Sequence, residues 1–209
     1  MAGGLTLRLT TTSDGDCTDP ANLERTVAAL DLIPEVIVTC RQVHGARVVE
    51  AMPGVEPAEA DGLVTREPLV SLALLGADCP LICLYDEEQP ALLVLHAGWR
   101  GILAGVLEAG IHALDAGDHR EVHGWISAHA GPCCYEVGEE VAARFPAEAV
   151  VRREAWARPH LDLRRAIEGR LDRRLQRLSK ECTICGRSYF SYRRTRTGER
   201  HALIAALTP

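Results

Sequence analysis

Lysine is almost missing from this sequence: Lys180 is the only one among 23 basic residues, and every other is arginine. Most of that skew is compositional, but arginine is also the side chain that grips anions bidentately, a role lysine fills poorly. Basic charge as a whole is in deficit, 23 Lys and Arg standing against 29 Asp and Glu for a net charge of −6. That balance excludes a general appetite for phosphate backbones, so no nucleic acid is expected as a partner, and small molecules are the better class. No stretch approaches the ~20 apolar residues of a membrane span. The first residues, MAGGLTLRLTTTSDGD, lack a basic segment followed by an apolar one. These absences predict a cytoplasmic protein with no membrane partner. Internal repeats and low-complexity segments are missing as well, which favours one continuous fold.

What is present fits that fold. With 209 residues, 47% of them hydrophobic, the chain is long enough to bury a sizeable core, and one domain over 1–209 is expected. A short strand over Thr6 to Thr12 and a helix from Asp19-Pro20 to about Leu32, stopped by Pro34, open the pattern. Strand-like runs follow at 35–40 and 46–51. From Leu63 to Leu95 three or four strands are expected, LVT, LVSLALLG, LICLYD and ALLVLHA, nearly continuous in apolar residues, as strands buried on both faces are. A helix from Trp99 to Leu114, a strand in VHGWISAHAG, a short helix after GPCCYEVG, an amphipathic helix near 161–178 and a last strand in ALIAAL complete the reading. Strands mixed with single helices, without strict alternation, predict an α+β fold: a single-domain layered α/β sandwich with mixed sheets.

The eight cysteines read as thiols, ligands or nucleophiles in a reducing compartment, not as a disulfide framework. CTIC (182–185) is a Cys-x-x-Cys pair, but a structural zinc site needs two more close ligands, and adjacent Cys133 and Cys134 have the wrong spacing. More informative are His44, Cys79 and His96, each where a strand pattern meets a turn, the usual place for catalytic groups. Their separations are long, and neither HExxH nor a double CxxC is present, so spacing alone leaves two readings open. In one they share a metal. In the other Cys79 is a small core hydrophobe and the histidines are hydrogen-bonded turn residues.

The strings RQVHGARVV, ADGLVT, GADCPLICLYD, LHAGWRG, GPCCYEVG and CTICGRSYFSYRR, in this order, resemble the multicopper polyphenol oxidase, or laccase-domain, family, also described as zinc-dependent purine nucleoside phosphorylases. The likeness spans roughly residues 22–207. It implies a zinc site built from His44, Cys79 and His96, with copper as the alternative metal. It implies phosphorolysis of adenosine, inosine and methylthioadenosine, with adenosine deamination as a second activity. Purine nucleoside and phosphate are the implied partners; a monomer is the simplest oligomeric state. Three departures put the substrate range in question: Gly76-Ala77 stands where the family has a threonine before ADC, the early SLNLG-like segment is not recognisable, and CTICGR replaces a CTYCDP-like string.

The residues suit that chemistry. One thiolate and two imidazoles leave a fourth position of a tetrahedral zinc open, the catalytic arrangement, and zinc lowers the pKa of a bound water to about 7. Arg100, near a predicted helix N-terminus, is the leading phosphate binder. Asp78 and Gln42 are candidates for substrate contact, each with an equal reading as a turn residue, and the resemblance implies Arg25, upstream of QVHG, as a further candidate. Trp99 either stacks on a base or is simply packed. The C-terminal arginines 187, 193, 194, 196 and 200 with Tyr189, Phe190 and Tyr192 are expected to flank the pocket. Three rivals stand beside this reading. One is a copper-dependent polyphenol oxidase, against which the eight histidines include no His-x-His pair. Another is a metal-free cysteine hydrolase using Cys79 with His96 or His44 as base. The third is a zinc-binding protein with no enzymatic activity.

Overall fold

Period-two alternation decides which neighbour each strand face meets, and here the central strands have apolar neighbours on both faces. The computed structural model describes residues 4–33, 36–55, 58–114, 122–171 and 175–208. Strand β1 (Gly4–Leu9) leads to Asp19, whose carboxylate accepts the Ala21 N–H and caps helix α1 (Pro20–Ala28). That helix ends short of the expected Leu32, and Asp31 turns the chain away with a left-handed φ of 57°. Pro34, the expected stop, lies outside the described residues with Glu35. Then come β2 (Ile37–Val38), β3 (Val48–Glu50), β4 (Gly62–Thr65), β5 (Ser71–Gly76), β6 (Leu81–Asp86) and β7 (Ala91–His96).

The single helix expected over 99–114 is two, α2 (Trp99–Ala104) and α3 (Val106–Leu114), because Gly105 adopts a left-handed φ of 94° and breaks the ladder between them. Beyond them lie β8 (Val122–Ile126), α4 (Glu139–Ala142), the short pair β9 (Val150–Val151) and β10 (His160–Leu161), and α5 (Leu163–Leu171). Of the helix expected to reach 178, Leu163–Leu171 are helical and 172–174 lie outside the described residues, while Gln176–Arg177 form β11, paired parallel to Trp125 and Ile126 of β8. Tertiary pairing overrides local helical pattern there. Helix α6 (Tyr192–Thr195) and strand β12 (His201–Thr208) close the described chain.

Two mixed sheets result, ordered β1-β12-β5-β2 and β11-β8-β6-β7-β4-β3. Leu72 and Leu74 of β5, with Leu203 and Ala205 of β12, face Leu81 and Cys83 of β6 and Leu92 and Val94 of β7. The alternate residues Ala73, Ile204 and Ala206 face the other way, onto Leu23 and Val27 of α1. On the far side of the larger sheet, Leu93 and Leu95 pack against Ile102, Val106 and Leu107, with Ile167 of α5 in the same cluster. The expected α+β layered sandwich is thus a four-layer stack of helix, sheet, sheet and helices. Each fully buried leucine in it contributes about 1.5–3 kcal/mol. The turns at one end of these buried strands carry His44, Cys79 and His96. Among the described residues no helix is long and apolar enough to cross a membrane.

Candidate functional site

His96 is the last residue of β7, paired in register with Leu81 of β6, so the sheet itself fixes its backbone. Its N–H donates to the Asp61 carbonyl at 2.8 Å. Cys79 lies in the turn between β5 and β6, just after Asp78, whose left-handed φ of 87° bends the chain toward β7. His44 lies between β2 and β3 and also has a positive φ, 60°. Two non-glycine residues in that region at one site mark a constrained backbone. The side-chain atoms of His44, Cys79 and His96 that could hold a metal ion all lie within 4.8 Å of one another. The two imidazoles meet edge to face with centroids 4.8 Å apart.

Asp61 organises the cluster from behind. It is completely buried, immediately before β4. Its carboxylate accepts backbone N–H bonds from Val43 (3.2 Å), His44 (2.9 Å) and Gly45 (2.6 Å), and it bonds His96 Nδ1 at 2.8 Å. One carboxylate therefore shapes the His44 turn and fixes the His96 ring, leaving the other ring nitrogen of His96 for the cluster. Burial opposes ionisation of Asp61, but the bonds from His96 and the turn hold its pKa below the ordinary carboxylate value. At Cys79 burial again opposes charge, and hydrogen bonding to His44 and His96 overcomes it, bringing the thiol down to about 6. Burial opposes the His96 cation, while Asp61 and Cys79 raise its pKa to about 9. Gly98 completes the wall: a Cβ there would lie 2.8 Å from Cys79 Sγ and 3.3 Å from His44 Cδ2.

The cluster opens into a cavity of about 630 Å³ that also takes in Arg100, Tyr135, Arg193 and Arg200. That volume suits a small-molecule ligand. The Arg100 guanidinium lies 4.5 Å from the Trp99 ring centroid. Trp99 packs against the core and also lines the cavity, as both of its expected readings require. Arg193 sits over the Tyr135 ring at 4.7 Å and donates to the Glu136 carbonyl. Burial, and then the neighbouring Cys79 charge, push the Tyr135 phenol up to about 12, so it stays a neutral donor.

Gln42 and Asp78 both line the cavity, yet their polar atoms are occupied by protein. The Gln42 amide clamps Leu75 at the end of β5, donating to its carbonyl and accepting its N–H, both at 2.8 Å. Asp78 accepts the Thr183 hydroxyl at 2.7 Å and the Arg193 N–H at 2.6 Å. Arg25 is not brought to the cavity: it is exposed on α1 and bonds Asn22. The expectation of a pocket-flanking C-terminal segment is met by Tyr192, Arg193 and Arg200. Sequence reading did not single out Asp61 or Tyr135. An aspartate directly before a glycine at the head of a buried strand was the available signal for Asp61, and it lay within the quoted ADGLVT string.

A mixed two-sheet α/β sandwich with a His/Cys/His cluster at its strand ends defines the class. The chain belongs to the family described as multi-copper polyphenol oxidoreductase laccase, whose model matches residues 9–207. It is 37% identical over 199 residues to a Streptomyces coelicolor protein named purine nucleoside phosphorylase, covering 87% of this chain and 79% of that one. A Streptomyces griseus protein of the same description is 36% identical over 201 residues, with 87% and 78% covered. Among solved structures, YlmD from Geobacillus stearothermophilus superposes with a TM-score of 0.79 at 26% identity, covering 99% of this chain and 92% of that one. The Bacillus licheniformis protein YfiH has the same fold, with a TM-score of 0.84 at 21% identity over 97% and 92% of the two chains.

Proposed function

We propose that this protein is a zinc-dependent purine nucleoside phosphorylase, acting on adenosine, inosine and methylthioadenosine, with His44, Cys79 and His96 as the metal ligands. The observation that carries the reading is the convergence of those three side chains on a ligand-sized cavity whose lining includes Arg100. The donor set fits zinc: a thiol already biased toward thiolate, two imidazoles, and Asp61 orienting one of them. When bound, zinc supplies Lewis-acid polarisation and water activation, which serve phosphorolysis and an adenosine deaminase side activity respectively. The same donors accept copper, since copper outcompetes zinc for nitrogen and sulfur ligands.

The protein's own groups do the positioning. Arg100 has no hydrogen bond or ion pair to other described residues, so its fork is available to a phosphate, which it binds bidentately near the sugar. Tyr135, neutral at physiological pH, donates a hydrogen bond to a phosphate or ribose oxygen. Asp78 and Gln42 shape the wall through Thr183, Arg193 and Leu75. Dispersed imidazoles disfavour a multicopper oxidase: among the described residues His44 and His96 are the only histidines in a metal-competent group.

The test uses Cys79→Ala and His96→Ala. Each variant is expected to lose the metal of this cluster and phosphorolysis together while remaining folded, because the core strands do not depend on that metal. A folded variant with full phosphorolysis and no metal at this cluster refutes the ligand assignment. A second reading, a metal-free cysteine hydrolase, is favoured by the depressed Cys79 pKa beside His96. Alkylation separates the two: zinc ligation predicts that Cys79 reacts faster after chelation, whereas a free thiolate reacts equally fast with and without chelator.

A further inference from the structure

The four cysteines that sequence spacing kept apart are together in space. Cys133 and Cys134 sit in a turn beyond β8, closed by the Cys134 and Tyr135 N–H groups donating to the Gly131 carbonyl at 3.0 and 2.9 Å. Cys182 and Cys185 sit in a second turn, closed by the Gly186 N–H donating to the Cys182 carbonyl at 2.8 Å. The fold lays one turn against the other through a bridge between His129 and Cys182, with the Thr183 N–H on the His129 carbonyl at 3.1 Å. All four sulfurs lie within 4.8 Å of one another, and Cys133 Sγ is 3.9 Å from Cys185 Sγ. Adjacent cysteines are poor zinc ligands by sequence spacing, but the second turn supplies the other half of the set.

We propose that Cys133, Cys134, Cys182 and Cys185 form a second metal site, a closed tetrathiolate that takes zinc and has a structural role. Tetrahedral zinc with Zn–S bonds of about 2.3 Å holds its sulfurs about 3.8 Å apart, which the Cys133–Cys185 pair already matches. A disulfide instead needs about 2.05 Å, far inside the observed separation. The Gly131 N–H points at Cys182 Sγ at 3.2 Å, a donor of the kind that supports a thiolate ligand. Gly131 also admits the sulfurs closely: a Cβ there would lie 3.3 Å from Cys182 Cβ and 3.4 Å from Cys133 Sγ. With four protein ligands no position stays open for substrate, so the site is of the structural kind.

Its place in the fold gives it a task. Thr183, between the two ligands of the second turn, is fully buried and donates to Asp78 beside the His44/Cys79/His96 cluster. The Arg194 side chain bonds the Thr183 and Gly186 carbonyls of the same turn and the Tyr189 carbonyl. Neighbouring Arg193 and Tyr192 line the cavity. A metal here therefore pins the segment that forms the cavity's C-terminal wall, and it does so whatever reaction the cavity supports.

Metal analysis of protein produced with zinc tests this. Two zinc equivalents per chain are expected in the wild type, one in Cys79→Ala, and one in the double variant C182S/C185S, which should also have a lower Tm. Replacement by cobalt(II) in Cys79→Ala gives a readout that does not require the serine variant to fold. The intense thiolate charge-transfer and visible bands of a tetrahedral four-sulfur site are expected there. Cys79→Ala with no bound metal and no such cobalt spectrum overturns the proposal. So does an intact mass, measured without reductant, showing the four thiols joined in disulfides in freshly purified protein.

Discussion

At the scale of single residues, Asp61 matters most, although it touches no substrate in this account. Its carboxylate meets three backbone N–H groups of the His44 turn and the His96 ring, and it has no exposure to water. Asp61→Asn keeps the size but presents an NH₂ group to a ring of donors. Zinc affinity should fall about 10–100-fold, and stability by about 3 kcal/mol through the broken buried network, as read by metal competition and denaturant unfolding. Unchanged zinc affinity would remove Asp61 from the site. Arg100→Ala should raise the KM for phosphate about 10–100-fold, the worth of a hydrogen bond to a charged group, with metal content unaltered. A variant with normal phosphate dependence would shift that role to Arg193 or Arg200.

Among elements, the break between α2 and α3 makes a prediction of opposite sign from helix propensity. In a continuous helix Gly105→Ala would stabilise by about 1 kcal/mol. With Gly105 at a φ of 94°, the same change should destabilise by about 1–2 kcal/mol, the cost of a left-handed L-residue, measured by denaturant unfolding. A stabilised variant would contradict the split. The strands β4 to β7 were legible in the sequence because burial on both faces leaves long apolar runs, and His96 was legible as the end of one of them. Gly105 read as one more small residue in a helical pattern, since φ is not written in composition. The extent of α5 was overestimated because the Gln176–Arg177 pairing with β8 is a long-range contact. The three candidate ligands stand out where strand patterns meet turns, but their sharing of one metal is implied only by resemblance, as their separations along the chain carry no local signal. Asp61 and the four-cysteine cluster depend on turns meeting in three dimensions, which spacing does not reveal.

For the whole molecule, the two buried sheets that carry the site also set its response to pH. His201, at the start of β12, is fully buried with neither ring nitrogen bonded. Burial lowers its pKa from the ordinary 6.5 to about 4. The unfolded chain therefore takes up a proton near 6.5 that the folded chain refuses until about 4. Stability is complete above the upper value and declines as pH falls toward the lower one, by about 3 kcal/mol for this residue. His201→Leu should flatten that slope in unfolding curves measured across the window, and an unchanged slope would assign it elsewhere. Zinc held by His44, Cys79 and His96 is proposed to serve phosphorolysis. The most direct test is chromatographic product analysis of metal-quantified protein incubated with adenosine, with and without phosphate. Adenine and ribose 1-phosphate are expected only when phosphate is present, in proportion to the zinc retained at that cluster. Nucleoside left intact by the zinc-loaded protein, or adenine released without phosphate or zinc, would contradict it.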